Sequence, residues 1–422
     1  MHYGVKRLRI IVVLMDPPLP FGKAAARWYY VLLRELVARG HEVTAFIGCE
    51  GADEIAATEE LLPRPRYDLR YYPVRRGGGL AAKLASIRRP YSYLFRDGFR
   101  RDLSRELASG FDVLHLEQLW SGWAGRGYEH KSLLNVHYSL AVDQEGYTPA
   151  SLRDRLLWRR AYQAERYLLQ RYPRIRTLTP RLSALARKAN PDAEIHTVPL
   201  GIDASLYPFL CSPRANGVPP TIGLVGSFNW IPSQRAGHRL LTRLWPAIQQ
   251  AMPAARLMMI GHAARSVFRE YTDWPGVTIL EDVPDIVPYF TQLDVLLYAP
   301  PRGTGMKVKI LEAFALGVPV VTNSEGAEGL PIQDGFNAAL AEDDKGLVER
   351  AIHLLRNSDR GRAQALAARQ VLQYYCAPAS VTEAVERLYH RIAEARPVQR
   401  KMHAFAPRII PPVASNARPQ CG

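Results

Sequence analysis

The chain has 422 residues, of which 47% are hydrophobic and 23% are charged. This length suffices for two domains of about 200 residues each, and the composition is ordinary for a soluble globular protein. No apolar run approaches the roughly 18 residues of a membrane span. The longest early run, residues 10–15, ends at Asp16 and Pro17, so we expect neither an anchor nor a signal peptide there.

The formal net charge of +15 indicates an anionic partner. Such an excess favours either nucleic acid or an anionic membrane surface. The sequence has no zinc-finger spacing, RNA-recognition motif or basic heptad array, so we expect a membrane surface and no nucleic acid. Scattered cysteines without metal-ligand spacing predict reduced thiols in a cytoplasmic protein. Together with the basic charge, this predicts a location at the inner face of the membrane, as a peripheral protein. The cysteines are Cys49, Cys211, Cys376 and Cys421.

The first half of the chain predicts a parallel sheet with helices. Its first strand is a near-continuous apolar run, which is typical of a central parallel strand. Two later strands end in Glu117 and His137, and the carboxyl ends of parallel strands line the ligand crevice in such sheets. The predicted strands cover residues 8–14, 42–47, 111–116, 131–136 and 176–179, and the predicted helices cover 24–38 and 152–171.

Residues 64–105 are a basic segment in which arginine and lysine alternate with aromatic residues. Within it, Leu80, Lys83, Leu84 and Ile87 fall at helical spacing. A basic helix with apolar anchors is suited to lying on anionic lipid. A solvated basic face that packs on its own domain fits the same pattern, and the sequence leaves both interpretations open.

A second domain is predicted after a linker rich in proline. It opens with a strand from Thr221, a turn at Gly226 and Ser227, and an amphipathic helix. Residues 396–422, rich in proline and arginine, are expected to be a disordered basic tail. The other elements predicted here are strands over 256–260 and 277–280, a strand pair within 333–341, and helices over 345–356, 360–373 and 380–395.

Residues 294–322 carry the most informative pattern of the chain. It predicts a buried strand over 294–298, a glycine-rich turn, a helix over 307–316 and a second buried strand over 318–322. Gly317 can adopt the left-handed conformation that ends a helix, and Pro319 forces an extended conformation on the residue before it. The turn should bring backbone N–H groups and the positive end of the helix to the edge of a parallel sheet, which suits an anion such as phosphate.

Lys309 and Glu312 are three residues apart and therefore share one face of this helix. A cation beside the phosphates and a carboxylate that accepts hydrogen bonds from a ribose diol would together bind a nucleoside diphosphate. An exposed Lys–Glu pair without a function fits the same spacing.

The run from Gly303 to Pro331 resembles the nucleotide-sugar segment of retaining GT-B glycosyltransferases, specifically of glycosyltransferase family 4. In that family a Glu-x7-Glu signature ends in the glutamate of an LEA helix, which a PVV strand follows. Glu312 matches the second glutamate. The first glutamate, which contacts the transferred sugar in the family, falls on Thr304 here and leaves the identity of the sugar open.

The resemblance implies the α/β GT-B architecture, which consists of two facing, doubly wound Rossmann-like domains and a C-terminal crossover helix. We expect an acceptor-binding domain over residues 1–203 and a linker over 204–220. A nucleotide-sugar-binding domain should follow over 221–378. The crossover helix should occupy 379–395 and pack on the first domain, and the tail covers 396–422.

The resemblance also implies roles for particular residues. Lys309 would stabilise the diphosphate leaving group, Glu312 would position the ribose, and His137 would orient the sugar from the opposite domain. Two alternative interpretations stay open. The loop after the first strand could be a simple turn without a binding role, and His137 could have a structural role instead of contacting the sugar. The predicted cleft and acceptor contacts are Gly22, Lys23 and Glu117. The predicted donor contacts are Gly226, Ser227, Asp282, Val283, Gly303, Thr304, Gly305, Met306 and Lys307.

The implied reaction is retaining transfer of a sugar from a nucleoside diphosphate sugar to an acceptor hydroxyl, by a hexosyltransferase-type enzyme (EC 2.4). A lipid-linked or saccharide acceptor in cell-surface polysaccharide or glycolipid synthesis is expected. The sequence has no Asp-x-Asp dyad, so we expect no metal and no cofactor besides the co-substrate. Two alternatives stay open: a nucleotide-sugar epimerase on the same fold, and a non-catalytic, membrane-associated nucleotide-binding protein.

Overall fold

A computed structural model of the protein describes residues 6–74, 89–95, 97–147, 149, 151–210, 217–283 and 285–395. The helix proposed around residues 80–87 and the tail over 396–422 lie outside these ranges. Among the described residues, no helix combines the length and the apolar character needed to cross a membrane.

The strands of the described chain fall into two groups along the sequence. They are β1 (Arg9–Leu14), β2 (Glu42–Cys49), β3 (Asp68–Pro73), β4 (Val113–Leu116), β5 (Ser132–Val136), β6 (Arg174–Thr177), β7 (Glu194–Thr197), β8 (Thr221–Val225), β9 (Arg256–Ile260), β10 (Val277–Leu280), β11 (Val295–Tyr298), β12 (Val320–Thr322) and β13 (Ala339–Leu340).

Each group of strands forms its own sheet. The first sheet has the order β3-β2-β1-β4-β5-β6-β7, and the second has the order β10-β9-β8-β11-β12-β13. Neighbouring strands pair in parallel in both sheets. In each sheet the chain adds strands on one side of the first strand and then on the other, which is the doubly wound arrangement. The predicted α/β fold class with two Rossmann-like domains is confirmed.

The helices connect and cover these strands. The described α-helices are α1 (Ala24–Ala38), α2 (Ala52–Leu61), α3 (Asp97–Ala108), α4 (Leu140–Asp143), α5 (Leu152–Arg171), α6 (Pro180–Ala189), α7 (Ile231–Arg239), α8 (Trp245–Ala251), α9 (Ala264–Val267), α10 (Val287–Phe290), α11 (Val308–Leu316), α12 (Ser324–Ala327), α13 (Asp344–Arg356), α14 (Ser358–Tyr375) and α15 (Pro378–Glu394). A π-helical turn, Leu240–Leu244, joins α7 to α8.

Two boundaries differ from prediction for local reasons. The strand predicted over 176–179 ends at Thr177, because Thr179 caps α6 by accepting a hydrogen bond from the Leu182 N–H. The strand pair predicted within 333–341 is wrong. Only Ala339–Leu340 is a strand there, and it pairs with β12, while the residues before it turn at Gly335 with a φ of 72°.

The aromatic residues of the basic segment 64–105 pack within the first domain where the structure describes them. Phe95 and Phe99 are each 2% exposed, and the Phe99 ring packs edge-on against Tyr72 at a centroid distance of 5.1 Å. Because these rings are buried, they cannot anchor the segment in lipid. This segment also contains β3 and α3, which were not predicted from the sequence.

The last helix, α15, packs on the first domain. The Glu386 carboxylate lies 2.7 Å from His41 Nε2 and accepts a 3.0 Å hydrogen bond from Arg39. Tyr389 of the same helix is fully buried beneath the first sheet and contacts His115 of β4.

Candidate functional site

The glycine-rich turn before α11 lies directly against the first domain. The Thr304 N–H and hydroxyl donate to Asp143 Oδ1 of α4 at 2.5 and 2.8 Å, and the hydroxyl accepts from the Ser139 N–H at 2.8 Å. Gly305 has a φ of 76°, and a Cβ added to it would lie only 2.0 Å from the His137 carbonyl oxygen. Glycine is therefore required at this contact between the domains.

The sequence predicted that backbone N–H groups of this turn bind an anionic ligand. Two of these N–H groups instead donate hydrogen bonds to carboxylates of the protein itself. The Gly303 N–H donates to Glu325 at 3.0 Å, and the Thr304 N–H donates to Asp143. The N–H groups of Val308 and Lys309, in the first turn of α11, have no hydrogen-bond partner among the described residues. The free N–H groups suited to an anion thus lie at the start of α11 rather than at residues 303 and 304.

The Lys309 ammonium lies at the loop that follows β8. Its Nζ donates to Ser233 Oγ at 2.7 Å and lies 4.0 Å from the centroid of the Tyr298 ring. A Cβ added to Gly226 would lie 2.7 Å from this Nζ, so the backbone and the lysine are in close contact. Burial, together with the nearby Lys307 ammonium, lowers the pKa of Lys309 to about 7. An anion bound here would restore the full positive charge.

Other predicted donor contacts lie at the carboxyl ends of β8 and β10, on either side of β9 in the second sheet. Gly226 follows β8 and packs on Gly261, which follows β9. A Cβ added to Gly261 would lie 1.9 Å from the Gly226 carbonyl oxygen. Ser227 is exposed next to Gly226. Asp282, after β10, has a φ of 49° and places its carboxylate 2.7 Å from the His262 ring, while Val283 is half-buried.

Met306 and Lys307 lie in the contact between the domains. Met306 accepts a hydrogen bond from the Leu200 N–H at 3.2 Å through its sulfur. The Lys307 ammonium donates to the Gly305 carbonyl at 2.6 Å, and burial lowers its pKa although the carboxylates of Glu328 and Asp143 oppose this effect. Their roles as donor contacts stay predictions.

Glu312 forms an ion pair with Arg27 of α1, across the two domains. The side chains of Glu312 and Arg27 are 6% and 5% exposed, so the alternative of a solvent-exposed Lys–Glu pair does not fit. Burial raises the pKa of Glu312, and the Arg27 guanidinium opposes this rise. Arg27 also donates to the carbonyl groups of Gly22 and Lys23 at 2.6 and 3.1 Å, which connects the loop after β1 to α11.

Arg27 was not predicted from the sequence. The only available signal was an arginine inside the otherwise apolar start of α1, where the residues on both sides of it, Ala26 and Trp28, are buried. An arginine in such a position needs a buried anion as its partner.

The loop with Gly22 and Lys23 borders a cavity of the first domain. Gly22 is exposed and has a φ of 77°, which a turn requires. The Lys23 ammonium pairs with Asp16 and Glu50 at 2.8 and 2.9 Å. The cavity has a volume of about 520 Å³ and is lined by Met15, Asp16, Glu50, Val74, Tyr91, Tyr93, Gln118, Trp120 and Tyr138.

The acceptor contact predicted for Glu117 is wrong, because the side chain is fully buried and does not reach the crevice. Its carboxylate contacts His115 and His137 at 2.6 and 2.7 Å and accepts a 2.7 Å hydrogen bond from Trp28 Nε1. Burial alone would raise the pKa of Glu117, but the two histidines keep it well below its usual range. The His137 side chain is 9% exposed.

Asp143 is a second residue that the sequence analysis missed. Its Oδ2 is buried without a hydrogen-bond partner in the part of the chain that the structure describes, and burial raises the pKa of Asp143 from 3.8 to about 7. Because the folded-state pKa is the higher one, its contribution to stability is fully present below about pH 4 and is lost as the pH rises through about 7.

We therefore expect Asp143→Asn, which keeps an acceptor oxygen for Thr304, to stabilise the protein at high pH only. The gain should be about 1–3 kcal/mol at pH 8 and near zero at pH 4. Thermal unfolding at the two pH values measures it, with the exposed Asp273→Asn as control. A gain that is equal at both pH values would contradict the titration of Asp143.

Two family models match the chain, one for each domain. Residues 25–206 match the model described as Glycosyltransferase Family 4, and residues 219–357 match the model described as Glycosyl transferases group 1. The chain is a glycosyltransferase of the GT-B type. No curated protein matches this glycosyltransferase. Among the described residues, no three His, Cys, Asp or Glu side chains gather in an arrangement that could bind a metal ion.

Solved structures share the fold of the glycosyltransferase. Sucrose-phosphate synthase from Thermosynechococcus elongatus superposes with a TM-score of 0.66 at 16% identity, covering 91% of this chain and 99% of its own. Anabaena HepE in complex with UDP-glucose gives 0.63 at 14% identity, with 90% and 99% covered. WaaG, a glycosyltransferase involved in lipopolysaccharide biosynthesis, gives 0.62 at 16% identity, again with 90% and 99% covered.

Proposed function

We propose that the glycosyltransferase transfers a sugar from a nucleoside diphosphate sugar to an acceptor hydroxyl, with retention of the anomeric configuration. The observation that carries this proposal is the position of Lys309. Its ammonium lies between Ser233, Tyr298 and the Gly226 backbone, and Lys309 itself belongs to the first turn of α11, where the free N–H groups are. A partly enclosed cation next to a helix N-terminus suits a diphosphate. That HepE was solved with UDP-glucose supports this class of donor.

Charge stabilisation is the main contribution that these residues can make to the reaction. As the bond between sugar and diphosphate breaks, negative charge grows on the leaving phosphate and positive charge grows on the sugar ring. Lys309 and the N–H groups of Val308 and Lys309 would bind the phosphate, while His137 would orient the sugar from the first domain. A preorganised contact of this kind typically contributes on the order of 100-fold in rate. No metal ion is needed for such a step.

We propose that the ribose binds beside Glu312. A buried carboxylate near the phosphate site can accept a hydrogen bond from a ribose hydroxyl, and its ion pair with Arg27 keeps it oriented. Retention is proposed from the match of the first domain to glycosyltransferase family 4.

The acceptor would bind in the cavity of the first domain. Its wall combines aromatic rings, among them Tyr91 and Trp120 at a centroid distance of 4.6 Å, with the carboxylates of Asp16 and Glu50. Rings that offer flat faces and carboxylates that accept hydrogen bonds suit a saccharide. The net charge of +15 supports an anionic membrane surface as partner and a lipid-linked acceptor. We therefore propose a peripheral enzyme of cell-surface polysaccharide or glycolipid synthesis.

Calorimetry with UDP-, GDP-, ADP- and dTDP-sugars, followed by donor turnover with and without a chelator, tests the proposed function. We expect one nucleotide to bind, slow hydrolysis of its sugar without acceptor, and no effect of the chelator. Failure of every nucleotide sugar to bind would refute the donor site. Turnover that is lost with chelator and restored by magnesium would refute the metal-independent step. Conversion of the donor sugar without nucleotide release would indicate an epimerase.

A further inference from the structure

A row of buried side chains runs from the last helix to the crevice between the domains. Tyr389 of α15 contacts His115 Nδ1, His115 Nε2 contacts Glu117 Oε1 at 2.6 Å, and Glu117 Oε2 contacts His137 Nε2 at 2.7 Å. Tyr389, His115 and Glu117 are fully buried, and His137 stands at the end of the row where the Gly305 turn meets the first domain.

The surroundings of Glu117 favour an ionised carboxylate and keep its pKa well below its usual range. Trp28 Nε1 donates to it at 2.7 Å, and the Arg176 guanidinium lies 3.8 Å from the same oxygen. These two groups can only donate, because indole and guanidinium carry no acceptor. An ionised carboxylate can only accept, so the nitrogen of His137 that faces it must carry a hydrogen.

The first half of the row has a defined direction as well. Burial lowers the pKa of His115 and raises the pKa of Tyr389 well above its usual range, so the pair consists of a neutral imidazole and a neutral phenol. The Tyr389 hydroxyl then donates to His115 Nδ1, and His115 Nε2–H donates to Glu117 at 2.6 Å, while the Asn135 amide nitrogen, 3.1 Å from the same ring nitrogen, donates to the Leu116 carbonyl instead. Every hydrogen bond of the row therefore points towards the carboxylate.

We infer that Glu117 is a positioning residue that fixes the hydrogen of His137 on Nε2 and leaves Nδ1 free to accept a hydrogen bond from a hydroxyl of the bound sugar. His137 Nδ1 makes no hydrogen bond to any described residue. The Tyr29 ring lies near the His137 ring, at a centroid distance of 6.5 Å, and makes no hydrogen bond to it among the described residues. The part of this inference that concerns the sugar rests on the proposed function.

The tautomer can be measured without any turnover. Two-bond ¹H–¹⁵N correlation spectra of protein labelled in histidine should show His137 with a protonated Nε2 and an unprotonated Nδ1, the signal being assigned with His137→Gln. A wild-type spectrum with a hydrogen on Nδ1, in either a neutral or a doubly protonated ring, overturns the inference directly, even if variants fail to fold or no donor is turned over. Failure of the proposed function would appear only in the turnover assay.

Glu117→Gln then tests the effect on the reaction. We expect the His137 signal to lose the single Nε2–H form and kcat to fall at least 10-fold, as for carboxylates that orient a histidine, with the donor KM changed less than about 3-fold. Glu386→Gln is the matched control, since Glu386 is also buried and contacts a histidine, His41, but lies on α15 away from the crevice. An unchanged tautomer and kcat in Glu117→Gln would overturn the inference.

Discussion

Replacing Lys309 by methionine should lower donor turnover by about 100-fold or more, because the developing diphosphate charge then lacks its nearest cation. The same change should stabilise the empty protein near pH 6. Burial lowers the pKa of Lys309 from 10.5 to about 7, so the unfolded chain binds the extra proton more tightly than the folded one. The resulting loss of folding stability in the wild-type protein is fully present below about pH 7 and disappears as the pH rises towards 10.5. The expected gain at pH 6 is on the order of 2 kcal/mol, since Lys309 is only partly enclosed.

Donor binding gives an independent measure of the same lysine. At pH 8 the wild-type protein should take up close to one proton as it binds a nucleoside diphosphate sugar, because the phosphate restores the charge of Lys309. Calorimetry in two buffers with different ionisation enthalpies detects this proton, and Lys309→Met should abolish it. Lys345→Met is the control, since Lys345 lies on α13 and its side chain is 85% exposed. Normal turnover by Lys309→Met would contradict the proposed phosphate site at α11.

Replacing Arg27 by methionine should destabilise the protein by about 3–5 kcal/mol. The change leaves the Glu312 carboxylate buried without its cation and removes the donor for the Gly22 and Lys23 carbonyl groups. Arg34→Met, also on α1, is the matched control. Arg34 pairs with Asp203 at 3.2 Å but is 43% exposed, so its loss should cost less than about 1 kcal/mol.

A double-mutant cycle separates the ion pair from the other contacts of Arg27. Glu312→Gln combined with Arg27→Met should recover much of the stability that Arg27→Met loses, because no unpaired charge then stays buried. Thermal unfolding of the two single variants and the double variant gives the interaction energy. Additive effects would show that Arg27 and Glu312 are not energetically coupled.

The sequence could predict those parts of the site that depend on local chain geometry. Gly226, Lys309 and His137 follow strands or begin a helix, and the carboxyl ends of parallel strands meet at one edge. A single apolar run, such as β1, is enough to predict a central strand. These elements therefore lie close to their predicted positions, and so do the helices over 24–38 and 152–171.

The contacts between elements distant in sequence could not be predicted. Asp143 meets Thr304, and Arg27 meets Glu312, only because two separately folded domains face each other, and no local pattern records that geometry. Glu117 shows the complementary error. A polar residue after a strand was expected to face the crevice, but its partners Trp28, His115 and Arg176 come from three other positions in the chain and enclose it.

The contact between Gly305 and the His137 carbonyl also sets the distance between the two domains. The Cα of Gly305 packs so closely against the His137 carbonyl oxygen that there is no space between them for one further carbon atom. A methyl group at this position would act as a spacer between the sheets. If phosphate and sugar bind as proposed, the distance from α11 to the sugar near His137 depends on the absence of a side chain at Gly305, so the backbone sets the spacing between the two domains.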